Sequence, residues 1–381
     1  MGWTGSTPAG GAEGDIVAAN LFDLDNEIKN VSRLKGKMAM MTAKGMPNKS
    51  FFLIFAQFGD FLKAAGSAGA SAVIGGPMGK SVGMNLTHTG ILGFNADFAM
   101  PVVSMTAEDQ GQIERYLERG ITPRARLNVQ NTFTNGPVET ANVVGEIRGR
   151  ENPEQILVVG AHLDSWDLAE GATDNGSGTA TVLGAADSIV RSRERPRRTI
   201  RFVLFTGEEQ GLDGSFAYTK QHESEMANHL GDLVLDFGQG AVKGFQLGGR
   251  DDLVPVFQSL TSALKNIKPL TVDDEVESGT DTLPFSIAGL PGINMNQDTS
   301  EYWYTHHSAA DALEAMKPEV LAQNATLMAL TAYWISDRPE RFASPWPAER
   351  TAKMLRARHQ YEMLKAFHLW TFGDIGAENK E

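Results

Sequence analysis

Two apolar runs, ILVVGA at 156–161 and TIRFVLF at 199–205, stand on either side of a small-residue segment of helical character at about 177–191. Runs without polar alternation read as strands buried on both faces, and a crossover long enough to hold a helix pairs such strands in parallel. A parallel sheet has to be covered twice, so the fold class is α/β with helices on both faces. A helix near 212–228, a strand at LVLD (233–236), another in GLPGINMNQD (289–298) and a helix at 316–337 continue the alternation. The sheet is expected to be mixed and mainly parallel.

Residues 15–125 are expected to hold shorter elements punctuated by Gly and Pro: strands at KGKMAMM, SAVIGG and PVVSMT, a small helix at FGDFLKAAGSAGA, and an amphipathic helix at EDQGQIERYLERG ended by Gly120. FFLIFAQF (51–58) is far short of the ~20 residues a membrane-spanning helix needs and reads as a buried element. LNVQNTFT and ANVVGEIRG, flanking NGPVET, are expected to pair as neighbouring strands. PWPAERTAKMLRARHQYEMLKAFHLW reads as one helix after a Pro-rich break, with a polar frayed end.

A formal net charge of -13 opposes nucleic acid and anionic membranes as partners, and the basic stretch RSRERPRRTIR (191–201) reads as a solvated helix-to-strand connection. There is no cysteine, which removes disulfides, thiolate nucleophiles and Cys-type zinc sites; a bound metal has to use His and carboxylates. MGWTGSTPAGG lacks the basic and apolar regions of a signal peptide, so the expectation is a cytosolic chain or one whose leader is absent from this form.

Ligands of parallel α/β sheets collect at the carboxyl ends of the strands. His162 and Asp164 follow ILVVGA, and Asp174 lies in GATDNGSG just before a helix. Glu208 and Glu209 follow TIRFVLFT, Asp236 ends LVLD, and His306 and His307 follow GINMNQ. Alone, a strand-end His is more often structural, and a Glu pair is usually solvated. Together they converge on one edge with no Lys or Arg beside the carboxylates, and crowded carboxylates call for a cation. With N and O donors only, zinc comes first, manganese or cobalt second.

HLDSWDLAEGATDNGSG, TGEEQG, LVLD and HHSAAD resemble the motifs of the co-catalytic di-zinc peptidases that include bacterial aminopeptidases and glutamate carboxypeptidases. HLDSWD, GTD (279–281) and the doubled HHS are most similar to its plasma glutamate carboxypeptidase (carboxypeptidase Q) branch. The resemblance runs from near residue 1 to about 340 and implies a zinc exopeptidase fold at 126–344. It also implies an inserted protease-associated-like α/β domain at 1–125 and a C-terminal helical tail at 345–381, with a catalytic segment before the insert apparently missing. It implies that His162, Asp174 and Asp236 bind one zinc, and that Asp174, Glu209 and His307 bind the other. Glu208 would be the general base and Asp164 the carboxylate that orients His162. His306 is either a hydrogen-bond donor to the developing oxyanion or a structural neighbour.

The branch usually reads ESDAG where this chain reads LDFGQG. Aligned by apolar residues, Gly238 takes the ligand position; aligned by distance from the Glu pair, Asp236 does, which is the favoured reading. The implied activity is hydrolysis of dipeptides or of N-terminal residues from small peptides, with export and homodimerisation as family expectations. The alternatives are a catalytically silent, receptor-like binding protein of the same fold and a single-zinc acyltransferase of glutaminyl cyclase type. Trp166, Tyr302 and Trp303 either line a substrate pocket or pack.

Overall fold

Two sheets are present in a computed structural model that describes residues 2, 4–45, 47, 51–76, 86–90 and 100–375. The smaller contains β1 (Ala12–Asn20), β2 (Met38–Thr42), β3 (Ala72–Gly75), β4 (Val102–Ser104) and β5 (Arg124–Leu127), in the order β4-β3-β2-β1-β5. β1 to β4 are parallel, and β5 returns antiparallel along β1. α1 (Leu24–Lys29) and α2 (Phe51–Ser67) cover one face through Leu24, Phe58, Phe61 and Leu62. α3 (Ala107–Glu118) lays Ile113 and Leu117 on the other, against Ile16, Met38 and Met40. FFLIFAQF is the first half of α2, continuous with the helix expected after it.

The larger sheet contains β6 (Val143–Ile147), β7 (Asn152–His162), β8 (Arg198–Phe205), β9 (His229–Val234), β10 (Val242–Gln246), β11 (Thr271–Asp273) and β12 (Gly292–Gln297). Their order is β11-β10-β12-β9-β7-β8-β6. The inner four, β8, β7, β9 and β12, are parallel, while β6 and β10 run antiparallel to their inner neighbours. Alternate residues of β7 face opposite ways, as strand geometry requires. Leu157, Val159 and Ala161 pack with α4 (Ser177–Ser192), α6 (Val254–Leu264) and α8 (Pro318–Asp337). Ile156 and Val158 pack with Tyr218 of α5 (Asp213–Gln221) and Phe285 of α7 (Thr282–Ile287). The mixed, mainly parallel sheet with helices on both faces is therefore present.

Three expectations are corrected. LNVQNTFT and ANVVGEIRG do not pair: β5 belongs to the smaller sheet and β6 to the larger. The stretch between them runs beside residues 4–7, with the Thr7 N–H donating to the Val129 carbonyl at 2.9 Å. The helix near 212–228 ends at Gln221 and continues as a 3-10 turn over Glu223–Asn228. The C-terminal helix is two, α9 (Ala348–Ala357) and α10 (Tyr361–Ala366), broken where His359 adopts a φ of 59°. Leu355, Met363 and Leu364 of this pair are buried in one cluster with Leu283, against which Phe55 of α2 also packs. The tail thus touches both sheets' helices. Its polar end at 376–381 lies outside the described residues.

Candidate metal centre

Because β8, β7, β9 and β12 are parallel neighbours, their carboxyl ends lie side by side. β7 ends on His162, and the turn from β7 to α4 carries Asp174. Glu208 and Glu209 follow β8, Asp236 lies two residues beyond β9, and His306 and His307 lie in the loop after β12. All seven are brought together, as is Asp164.

Asp174 lies between two imidazoles. Its Oδ1 is 3.3 Å from His162 Nε2 and its Oδ2 is 3.2 Å from His307 Nε2. On the far side of His162, Asp236 Oδ1 is 2.8 Å from Nε2; beside His307, Glu209 Oε2 is 3.0 Å from Nε2. Glu208 is set back, with Oε2 3.9 Å from His162 Nε2. Gly238 is placed differently: its φ is +84°, a Cβ there would meet Tyr302 at 2.4 Å, and its carbonyl accepts from Ser177 Oγ and Gln297 Nε2.

The carboxylates of the centre face imidazoles and one another. Asp174, Glu208, Glu209 and Asp236 are buried or nearly so, and among the described residues none of them pairs with Lys or Arg. Burial pushes Glu208 well above the usual carboxylate range; His162 opposes this, and Asp236, Glu209 and Asp281 reinforce it. Glu209 and Asp236 are also raised, chiefly by burial. Burial works against ionisation of Asp174 too, yet His162 and His307 hold it well below that range. His307 is driven the other way: despite burial, Glu209 and Asp174 raise it to about 10. Crowded carboxyls of this kind would be relieved by a cation held between them.

The donor set fits zinc. Tetrahedral donors at 2.0–2.1 Å from an ion lie roughly 3.3 Å apart, close to the 3.3, 3.2 and 3.0 Å seen around Asp174 and Glu209, with the 2.8 Å of the Asp236 contact somewhat tighter. Among the described residues three groups, the first wholly buried and the others partly, can each gather donor atoms within 4.8 Å: His162 with Asp174 and Asp236, His162 with Glu208 and Glu209, and Asp174 with His306 and His307. Glu209 Oε1 is buried without a hydrogen-bond partner, which leaves it available to an ion. His162 Nδ1 lies 3.0 Å from the Asp164 carbonyl; an N–H donated there leaves the Nε2 lone pair for a metal.

Asp164 meets His162 through its backbone and places its carboxylate nearby. Its backbone carbonyl takes the His162 contact, while its carboxylate stays 3.7 Å from Nδ1, too far for a hydrogen bond. The carboxylate instead accepts the backbone N–H groups of Glu208 and Glu209, each at 3.2 Å. It sets the turn that presents both glutamates. The His306 ring stacks on His307 with centroids 3.7 Å apart, and its Nε2 is 3.9 Å from Asp174 Oδ2.

Further residues support the centre from behind. Asn175 Nδ2 donates to Asp236 Oδ1 at 2.8 Å, and Asp311 accepts from Thr173 and from the Asp174 N–H. Asp311 was visible in the sequence only as the end of HHSAAD. Thr89, from the smaller-sheet half, donates its N–H to the His307 carbonyl at 2.9 Å. Tyr302 is buried against Phe237 and His306, Trp303 is exposed, and Trp166 lies 5.9 Å from the His307 ring.

The sequence model of peptidase family M28 matches residues 142–332, half of the chain and the part that holds the centre. The chain belongs to this family. This M28 chain is 29% identical over 350 residues to carboxypeptidase Q of Xenopus laevis, covering 89% of itself and 71% of that protein. It spans about half the length of the mammalian carboxypeptidase Q sequences it matches. Among solved structures, an M28 peptidase precursor from Shewanella amazonensis superposes with a TM-score of 0.76 at 28% identity, over 91% of this chain and 79% of that one. A zinc aminopeptidase from Bacillus subtilis shares the fold, with a TM-score of 0.63 at 23% identity, over 91% of this chain and 80% of that one. No helix among the described residues of this M28 chain is long and apolar enough to cross a membrane.

Proposed function

We propose that this chain is a zinc-dependent exopeptidase that splits dipeptides or removes N-terminal residues. In this reading one zinc is held by His162, Asp174 and Asp236, and a second by Asp174, Glu209 and His307, with manganese or cobalt as possible substitutes. The observation that carries it is the placement of Asp174, one carboxylate oxygen toward each imidazole. Bound zinc supplies Lewis acidity that polarises a carbonyl and makes water nucleophilic near neutral pH.

The chain's own groups complete the chemistry. Glu208, set back from the donor atoms, takes a proton from the attacking water and delivers it to the leaving nitrogen. Asp164 keeps Glu208 and Glu209 in register through their backbone N–H groups. His306 stands beside His307 with Nε2 toward Asp174, a position that supports hydrogen bonding to an oxygen gaining negative charge. The smaller-sheet half is read as a protease-associated-like module that shapes access, supported by the Thr89 contact to His307. Metal analysis beside a dipeptide assay tests the proposal. Zinc-reconstituted protein should hold about two ions per chain and lose turnover to a chelator; protein that keeps no metal and splits no dipeptide overturns it.

A further inference from the structure

Between the larger sheet and α7 lies a pair of acids that the chemistry above does not use. Asp232 of β9 pairs in register with Val158 of β7 on one side and with Gly292 of β12 on the other. Neighbours in register share a face, so Asp232 looks toward α7, as Val158 does. Gly292 lies directly under that helix: a Cβ there would be 2.6 Å from the Thr282 carbonyl oxygen and 2.5 Å from Ser286 Oγ, one turn further on. Asp281, the residue before Thr282, is thereby brought beside Asp232, and both are fully buried. Burial drives the Asp232 carboxyl well above the usual carboxylate range, and Asp281 drives it further.

The protein satisfies neither carboxyl. No oxygen of Asp232 or Asp281 meets a hydrogen-bond donor, and neither residue pairs with Lys or Arg among the described residues. The Ile293 N–H near Asp232 and the Ser215 hydroxyl near Asp281 lie outside hydrogen-bonding geometry, and Ser215 donates to the Leu212 carbonyl instead. Independently of the acids, Ser286 Oγ is bare and 1% exposed beneath α7. Asn294 Oδ1, two residues beyond Gly292 and on the same face, is bare as well. Around them Val158, Phe205, Tyr218 and Phe285 form an apolar cluster. Buried polar atoms are seldom left without a partner in such numbers.

We infer that Asp232, Asp281 and the Ser286 hydroxyl hold one divalent cation of calcium type, separate from the zinc centre. Two carboxylates cancel its charge where no basic side chain does. The donors are all oxygen, which suits a hard cation, and the absence of imidazole disfavours zinc. Calcium accepts irregular coordination by carboxylate and neutral oxygens, whereas magnesium demands a near-octahedral shell and keeps its waters, which apolar surroundings disfavour. Because the site is closed to solvent, the ion is taken up as the chain folds. It ties β9 to the start of α7, independently of any turnover at the centre.

The full chain is refolded with zinc, with or without calcium chloride, and passed into calcium-free buffer before metal analysis and thermal unfolding. Refolding with calcium should add about one calcium per chain at unchanged zinc and raise the melting temperature by about 3 °C or more. Asp232→Asn, which alters none of the zinc donors, should lose both the calcium and the shift while keeping its zinc. Ser286→Ala should need more calcium for the same shift and serves as the test if Asp232→Asn does not fold. No calcium in the refolded wild type, calcium and shift retained in folded Asp232→Asn, or an unchanged calcium response in Ser286→Ala overturns the site. Each of those results assigns the bare oxygens to buried water or a shared proton instead.

Discussion

Asp311 Oδ2 accepts the backbone N–H of Asp174 at 3.2 Å, across 137 residues of sequence. The other oxygen accepts the Thr173 hydroxyl at 2.8 Å, so one carboxylate behind the centre fixes the turn that aims Asp174 at both imidazoles. Asp311→Ala should weaken zinc binding by about 10- to 100-fold, as loss of a ligand's supporting hydrogen bonds commonly does. Asp311→Asn, which keeps one oxygen acceptor, should fall between. Competition against a chelator of known affinity reads this, and unchanged affinity in Asp311→Ala would remove the supporting role.

Glu208→Gln keeps the shape of the side chain and removes its ability to take a proton. Turnover should fall by about 10²- to 10⁴-fold while zinc content stays at the wild-type level. Normal turnover with normal zinc would show that another group is the base.

Asp164→Ala deprives two backbone N–H groups of their acceptor at a partly buried turn. The expected loss of stability is about 1–3 kcal/mol for groups left unsatisfied, together with lower kcat because Glu208 is no longer held. Denaturant unfolding of the zinc-loaded variant measures the first and dipeptide kinetics the second.

Zinc uptake should expel protons. In the metal-free protein Glu209 and Asp174 raise His307 to about 10, so it is protonated at neutral pH, whereas an imidazole ligand must be neutral. Affinity should therefore climb as pH rises toward that value. Calorimetric titration in buffers of different ionisation enthalpy should show a net release of about one proton or more per chain at pH 7; zero release would contradict this assignment of charge.

Burial pushes the Asp281 carboxyl from 3.8 up to about 7. The folded state therefore holds this proton more tightly than the unfolded chain, and the associated stability, complete below about pH 4, is lost as pH rises through about 7. Asp281→Asn substitutes a neutral side chain of the same shape. Metal-free variant should melt at a higher temperature than metal-free wild type at pH 8, with the gap closing toward pH 4. An equal gap at both pH values would place the effect in packing instead.

What could be read from the sequence follows from chemistry that is local in the chain. ILVVGA and TIRFVLF announce buried parallel strands because all their residues but Thr199 and Arg201 are apolar or small, and the charged residues immediately after them had to emerge at one edge. The pairing of 127–134 was misread because turn residues between two β-prone stretches look alike whether or not the stretches belong to one sheet. Asp236 and Gly238 were alternatives in the sequence because register shows only in the packed sheet, which sets Asp236 beside His162 and gives Gly238 a left-handed backbone. Asp164 was placed near His162 correctly, but a side chain that holds backbone N–H groups 44 and 45 residues away leaves no periodic trace.

The strand order β8-β7-β9-β12 also sets when the centre can exist during folding. Its turn at 173–174 is tied to Asp311 across 137 residues, so long-range closure precedes any complete donor set. Metal capture is then a late step that follows assembly of the sheet, and the rate at which refolding protein takes up zinc becomes a clock for the docking of β12 and the loop beyond it.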